Sequence, residues 1–561
     1  MSGSRFSPLL CGTSWLLVAC SQSAPEIEPA PAKATPLEST EPPAWFVERA
    51  VESGLAFDHV SGHREAYLMP EIMGGGAALF DMDSDGDLDA YLVQSGSLYD
   101  EAPAPTNALF RGRGDGSFED VTPGSGAGHP GYGMGVACGD VDRDGDLDLY
   151  VTNFGPNVLL LNDGQGTFAD GTEAARVGDP SWGSSAAFCD FENDGDLDLY
   201  VANYLDWQTS NELPCRNQMG TSDFCSPLNY ESPAPDTVYR NEGAGRFTDI
   251  SAELGTAESA GTGLGVTCAD FDGDGLPEIF VANDGMPNFL WVRTESGWRE
   301  SGVDRGCALD SDGLAKAGMG VDVEDLDSDG DPDLLVCNLR NEADSYYRND
   351  GTSFRDRTVA VGLSTLSRPY TRFGLGWADF DQDGQLDLFE AGGRVMRQSH
   401  TFADDPYAEP NLLFRGLPNG RFEAVAQPEQ PATNSRAAAF GDVDNDGGVD
   451  VLVVNLDGPA QLFLNRVSER GSWIAFDLFD PGGSALHARV AIERNAGPAF
   501  GYSRAAASYQ ASNDPRVHFG LGEERLARQV TVSWPDGSVE AFGDLEAGRT
   551  HRLTRGSGLG R

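Results

Sequence analysis

The residues of this 561-residue chain that could do chemistry recur in one nine-residue pattern: acid, any, acid, any, Asp, Gly, any, any, acid. It occurs seven times. The first copy sets Asp81, Asp83, Asp85, Asp87 and Asp89 around Gly86. The second has Asp140, Asp142, Asp144, Asp146 and Asp148, and the third Asp190, Glu192, Asp194, Asp196 and Asp198. The fourth has Asp270, Asp272, Asp274, Leu276 and Glu278, and the fifth Asp325, Asp327, Asp329, Asp331 and Asp333. The sixth has Asp379, Asp381, Asp383, Gln385 and Asp387, and the seventh Asp442, Asp444, Asp446, Gly448 and Asp450. Repetition at tens of residues sets the architecture of a long chain and is read before anything else.

A hard cation accounts for each column. Ca2+ takes roughly 6–8 oxygens from carboxylates, backbone carbonyls and water at about 2.3–2.6 Å. Carboxylates at positions 1, 3, 5 and 9 would supply four of the donor groups. Position 7, which runs from Asp87 to Leu276, Gln385 and Gly448, would offer only its carbonyl, which leaves its side chain free to vary. Gly at position 6 permits the left-handed bend that wraps chain around an ion. Position 2 is always apolar (Met82, Val141, Phe191, Phe271, Leu326, Phe380, Val443) and faces a core. A solvated acidic turn would explain one copy but not seven with the same column logic. An EF-hand needs a 12-residue loop between helices. Here each ninth acid instead opens a strand-like run such as Leu147-Asp148-Leu149-Tyr150-Val151. The expected cofactor is Ca2+, up to seven ions.

The loops hold 32 of the 89 acidic residues behind the formal charge of -51. Much of that charge therefore reads as metal ligand. It excludes nucleic acid, since phosphate contact needs clustered Lys and Arg, and it disfavours anionic lipid surfaces. Of nine cysteines, Cys215 and Cys225 bracket a polar excursion and are expected to form a disulfide in an exported protein. Cys138, Cys189, Cys268 and Cys337 lie in apolar strand contexts and read as small buried hydrophobes. Residues 1–20 read as an export signal ending in Leu17-Val18-Ala19-Cys20, a lipobox-like stretch that would make Cys20 the lipidated first residue. Residues 21–44, rich in Pro, Ala and Glu, read as an extended tether.

A second repeat interleaves with the first: Asn-x-Gly, then Gly-x-Phe-x-Asp-x-Thr, as in Asn162 followed by Gly166 to Thr172. Each unit thus reads as strand, acidic loop, strand, strand, turn, strand, which is a propeller blade. The seventh unit lacks its last strand, while Phe46–Ala50 precedes any loop. The N-terminal strand is expected to complete the seventh blade against Leu462–Asn465 and so remove an exposed sheet edge. These units resemble the FG-GAP/VCBS repeats of integrin-α-like propellers. Ser508-Tyr509-Gln510-Ala511-Ser512-Asn513-Asp514-Pro515-Arg516-Val517-His518-Phe519-Gly520-Leu521-Gly522 and Trp534-Pro535-Asp536-Gly537 resemble the hallmarks of the ASPIC/UnbV domain. Together they are similar to the cartilage acidic protein family and its bacterial relatives. The expected fold is all-β: a seven-bladed β-propeller with Ca-binding loops over 45–466, a small β-rich domain over 467–555, and a tail over 556–561.

No nucleophile elbow, P-loop or HExxH helix occurs. The seven histidines are dispersed: His59 and His63 read as propeller surface-loop residues, and His518 as packed within its own β-domain. Arg113-Gly114-Asp115 is explained by the turn chemistry of its repeat. The expected function is a non-catalytic adhesion or binding module at the cell envelope, exported as a lipoprotein of the outer membrane or surface, or otherwise secreted. Its protein or glycan ligand would sit on a propeller face or in the central channel, and membrane contact would come only through the lipid anchor. Alternatives are an envelope hydrolase built on the propeller and an assembly or secretion scaffold.

Overall fold

The first strands of blades 2, 3 and 4 are poor in bulk and buried along their length. Gly133–Gly139, Gly183–Cys189 and Gly263–Ala269 are built mainly of Gly, Ala, Ser and Cys. Small side chains let strands crowd around an axis: a Cβ on Gly135 would lie 2.6 Å from the Ser184 carbonyl oxygen of the next blade. The computed structural model describes residues 44–64, 66–99, 104–427, 430–481 and 485–559. The expected export signal with Cys20, and all but the last residue of the expected tether, lie outside the described residues.

The strands form seven four-stranded antiparallel blades. Their innermost strands are Ala77–Phe80, Gly133–Gly139, Gly183–Cys189, Gly263–Ala269, Val321–Glu324, Arg372–Ala378 and Ser435–Gly441. Each touches the next in order, and the seventh touches the first, so the ring closes. Closure uses the N-terminal strand. Phe46–Glu48 pairs antiparallel with Gln461–Asn465 (Phe46 opposite Asn465, Glu48 opposite Phe463), and Phe46 packs edge-on against Phe380 of blade 6 at 5.2 Å.

The second repeat explains the outer half of each blade. Phe118, Phe168, Phe247 and Phe354 are buried. The Asp and the Thr or Ser that follow fold back to cap the third strand. Thr122, Thr172, Ser251 and Thr358 accept through Oγ from the amides of Leu109, Leu159, Val238 and Tyr346, at 2.8–3.0 Å. Asn on the third strand ties blade to blade. The Nδ2 groups of Asn162, Asn241, Asn349 and Asn465 donate to the position 2 carbonyls of the preceding loops, at Met82, Val141, Phe271 and Phe380. In blade 4, Arg293 makes that bond instead, to Phe191.

The C-terminal part is a small sandwich. One sheet centres on Ser472–Phe479, flanked by Val517–Gly522 and Thr550–Thr554. The other orders Gly497–Tyr502, Arg489–Arg494, Leu526–Ser533 and Val539–Glu546. Ile474, Phe476, Val490, Val532 and Trp534 share its core. One stretch leaves the sandwich: residues 506–514 run down the propeller axis as a finger that touches all seven innermost strands. Ala511 and Ser512 pair parallel with Ala77 and Ala78 of blade 1. The Gln510 carbonyl and Ser512 Oγ accept from Val136 and Cys138 of blade 2, and Gln510 N–H donates to Ser185 Oγ of blade 3. Thr267 of blade 4 donates to the Ala506 carbonyl, Ser508 pairs with Val321 of blade 5, and Ser508 Oγ accepts from Leu375 of blade 6. Asn513 accepts from the Phe440 amide of blade 7, and its neighbour Asp514 donates back to the Phe440 carbonyl. The channel expected as a ligand site is therefore filled by the chain itself.

At the tip Tyr509 is fully buried, T-stacked on Phe373 at 5.0 Å, with its hydroxyl donating to the Met73 carbonyl. Removing a buried aromatic costs about 3–5 kcal/mol. Tyr509→Ala is expected to lower unfolding stability by that amount, with propeller and sandwich melting in one transition, measured by chemical denaturation with calorimetry.

Candidate metal centres in the blade loops

Each acidic loop leaves the end of an innermost strand and returns as the second strand, so all seven share one face of the ring. Two left-handed residues make the turn. Position 6 Gly lies at φ 87–98° in every loop. Position 4 is left-handed too: Ser84, Arg143, Asn193, Gly273, Ser328, Gln382 and Asn445 lie at φ 54–74°. That second bend had no signal in the sequence, because the position accepts almost any polar residue.

The hydrogen bonds repeat. In blade 1 the Asp81 carboxylate accepts from the amides of Asp85 and Gly86, and Asp85 accepts from Asp87. Asp89 accepts from Met82 through one oxygen and from Gly112, on the third strand, through the other, both at 2.8 Å. Position 9 thereby locks loop, second strand and third strand together. Asp148, Asp198, Asp333, Asp387 and Asp450 hold equivalent third-strand amides, from Asn162, Asn241, Asn349, Gly416 and Asn465.

Position 3 differs. Its outer oxygen meets an arginine in most blades: Arg111 with Asp83 at 3.1 Å, Arg305 with Asp272 at 2.8 Å, Arg415 with Asp381 at 2.8 Å and Arg466 with Asp444 at 2.6 Å. Its inner oxygen is buried and finds no partner among the described residues in Asp83, Asp142, Asp272 and Asp444. An unpaired buried carboxylate oxygen is costly, and a cation in the turn would supply the missing partner. Ligand oxygens lie within 4.8 Å of one another in Asp81, Asp83 and Asp85; in Asp140, Asp142 and Asp148; in Asp270, Asp272 and Glu278; in Asp325, Asp327 and Asp333; and in Asp379, Asp381 and Asp387. Position 7 side chains point elsewhere: Asp87 accepts from Asn445 of the neighbouring loop, and Asp196 from Arg143. The arginines were a missed signal. Arg111, Arg240, Arg348 and Arg415 each stand immediately before the Asn or Gly that ends the third strand.

The sandwich grips this face through the position 6 carbonyls. Gly330 accepts from Arg489 and Tyr502, Gly384 from Arg494, and Gly447 from His518 at 2.9 Å. His518 thus reaches beyond its own domain, stacked on Trp473, and burial lowers its pKa to about 4. His59 is buried rather than in a surface loop, bonded to Ser95 and also held near 4 by burial. His63 pairs with Glu71 at 2.8 Å. Cys215 and Cys225 are bridged. Cys189 and Cys268, expected as lone hydrophobes, are bridged as well and link the innermost strands of blades 3 and 4; their 79-residue separation hid the pairing. Arg113 pairs with Glu119, and Asp115 accepts from Ser117 within the hairpin turn.

Burial raises the position 9 carboxyls, to about 7 for Asp89 and Asp148 and about 8 for Asp198, Glu278 and Asp333. Position 1 follows at about 6 for Asp140 and Asp325 and about 7 for Asp442. These folded groups hold protons that an unfolded chain, with carboxyls near 4, has released. The folded state then binds more protons, so stability falls as pH rises. In chelator, the melting midpoint is expected to drop on going from about pH 5 to about pH 8, read by calorimetry.

The FG-GAP-like repeat model matches residues 81–151, 140–201, 220–281, 270–336 and 325–390, and the ASPIC and UnbV model matches residues 481–559. Cartilage acidic protein 1 of Homo sapiens is 25% identical over 322 residues, covering 54% of this chain and 45% of that protein. The Xenopus tropicalis protein of the same name is 24% identical over 307 residues, 52% of this chain and 44% of its own. The chain spans about half the length of the curated relatives it matches. An Agrocybe aegerita lectin recognising non-reducing terminal N-acetylglucosamine aligns with TM-score 0.39 and 14% identity over 69% of this chain and 86% of its own. The exotype rhamnogalacturonan lyase YesX aligns with TM-score 0.31 and 13% identity over 86% of this chain and 90% of its own. Likeness at this level carries no argument about ligand or reaction.

Proposed function

We propose that this chain, which belongs to the FG-GAP-like repeat family and carries an ASPIC and UnbV domain, is an exported, calcium-binding and non-catalytic binding module of the cell envelope. The observation that carries the metal reading is the buried inner oxygen of position 3, left without a partner in Asp83, Asp142, Asp272 and Asp444. The donors there are all oxygen, in turns without nitrogen or sulfur ligands, which suits Ca2+ rather than a softer metal. Positions 1, 3, 5 and 9 would hold the ion with their carboxylates, and position 7 with its carbonyl. Ca2+ there is structural: it neutralises crowded acids and stiffens the turn that also presents the position 6 carbonyl to the sandwich.

The binding reading rests on architecture. A closed wheel, with blades 3 and 4 bridged by Cys189–Cys268, carries the sandwich on one face and presents loops on the other while its axis is filled. The export reading rests on the leader, the tether and the two disulfides, since such bonds persist in oxidising compartments.

An ion that binds only the folded state stabilises it by about 2.7 kcal/mol per site at a hundredfold excess over its Kd. Ca2+ is expected to raise the melting midpoint strongly, reverse the pH slope seen in chelator, and be found by elemental analysis at up to seven per chain. Asp83→Ala is expected to lose one ion and part of that rise. A melt indifferent to Ca2+ and EDTA, with no bound calcium, would refute the assignment.

A further inference from the structure

The end of the axis opposite the acidic loops is closed by an apolar cluster. Met134, Leu264 and Phe373, from the starts of innermost strands, gather there around the finger tip Tyr509. Two segments outside the blades join the same cluster: Met69, ahead of blade 1, and Phe224, in the long excursion 204–236 of blade 3. That excursion reaches blade 6. Asp223 is fully buried, and its carboxylate accepts from the Arg397 amide at 2.9 Å, the Tyr407 hydroxyl at 2.7 Å and Asn217 Nδ2 at 2.8 Å. The Arg397 guanidinium donates to the Ser222 carbonyl. Phe224 packs against Tyr67 at 5.3 Å and Tyr407 at 5.8 Å. Blades 3 and 6 are not neighbours in the ring, so these contacts make a strap across the end of the axis.

The strap is held at its base by Cys215–Cys225. Residues 218–222 between the cysteines are exposed, and Asn217, Asp223 and Phe224 are buried. The segment thus folds around the bridge and its three inward side chains rather than around a core of its own. Removing a cross-link returns conformational freedom to the chain it closed, and here that freedom competes with the Asp223 and Phe224 contacts. The two described bridges also differ in reach. Cys189 and Cys268 are sealed at the hub, 0% and 2% exposed. Cys215 is half-buried, between exposed Pro214 and Arg216. Thiol–disulfide exchange needs access to a sulfur, and accessible bridges are the labile ones.

We propose that Cys215–Cys225 is a redox catch: a dithiol reductant opens it, the strap lets go of blade 6, and the end of the axis opposite the acidic loops is uncovered. One thiolate of the reductant attacks the Cys215 sulfur, the bridge breaks, and Cys225 leaves as a thiolate that takes up a proton. The second thiol of the reductant then attacks the mixed disulfide and releases Cys215, which is protonated in turn. The bridge gains two electrons and two protons, and the reductant becomes a disulfide. This proposal stands apart from the calcium and ligand readings.

The test uses the full mature chain in saturating Ca2+, treated with dithiothreitol without denaturant. New thiols are blocked with iodoacetamide and mapped by mass spectrometry, and backbone hydrogen exchange is followed on the same samples. Cys215 and Cys225 are expected to be labelled at least about tenfold faster than Cys189 and Cys268. Peptides over 66–73 and 394–409 are expected to exchange about tenfold faster after reduction, while the innermost strand 435–441 keeps its rate. Oxidised glutathione is expected to close the bridge and restore slow exchange. Cys215→Ser combined with Cys225→Ser is expected to show the open pattern without reductant; should it fail to fold, reduction of the parent decides. The proposal falls if both bridges open at the same rate, if faster exchange stays within 212–226, or if 435–441 loosens equally.

Discussion

Seven strand edges meeting at one axis create a problem of unpaired backbone. Each innermost strand bonds its own blade on one side and turns its other edge toward the hub. Buried N–H and C=O groups must find partners. Here the partner is a single polar finger, residues 506–514, with Ser508, Gln510, Ser512 and Asn513 carrying the side-chain bonds. Such residues suit the task because they donate and accept at once. Small hub residues follow from the same constraint, since even a Cβ at Gly76 would lie 2.3 Å from the Gln510 carbonyl oxygen of the finger, and one at Gly135 2.6 Å from the Ser184 carbonyl oxygen of the next blade.

Filling the axis ties the two parts of the chain into one body. The finger enters from the face that carries the acidic loops, and the sandwich it springs from seats on those loops. The four bonds onto the Gly330, Gly384 and Gly447 carbonyls depend on the shape of the turn rather than on its charge. Loop order and domain seating are thereby linked: whatever stiffens the acidic turns also fixes the carbonyls that hold the sandwich. Hydrogen bonds from Asn162, Asn241, Asn349 and Asn465 to the preceding loops spread that order around the ring.

Electrostatics runs through the same turns. Positions 1 and 9 are sunk where burial raises their pKa. Position 3 is split between an arginine outside and an unpaired oxygen inside. Five of the arginines that balance these loops come from the third strand of the same blade or from just beyond it, as with Arg111, Arg240, Arg348, Arg415 and Arg466. The protein thus neutralises the rim of these turns itself and leaves buried oxygens at the centre of several without a partner among the described residues.

Much was legible in the residues. Seven acidic loops, four strands per unit and the stray strand at Phe46 determine a closed ring, because the period of the repeat is the period of the blade and an unpaired edge has to be covered. The Asn-x-Gly and Phe-x-Asp-x-Thr runs carried the third strand, the turn and the cap for the same reason: each is a local backbone bond repeated at fixed spacing. What lies far apart in sequence was decided only by the tertiary structure. Nothing in Ala506–Asn513 announces a hub, since its partners lie on seven strands spread over more than three hundred residues. Cys189 and Cys268 look like lone hydrophobes until neighbouring blades bring them together. Arg489, Arg494 and His518 meet the position 6 carbonyls only once the sandwich sits on the wheel. Local periodicity writes itself into a sequence because it repeats, whereas a contact made once across the fold leaves no pattern to read.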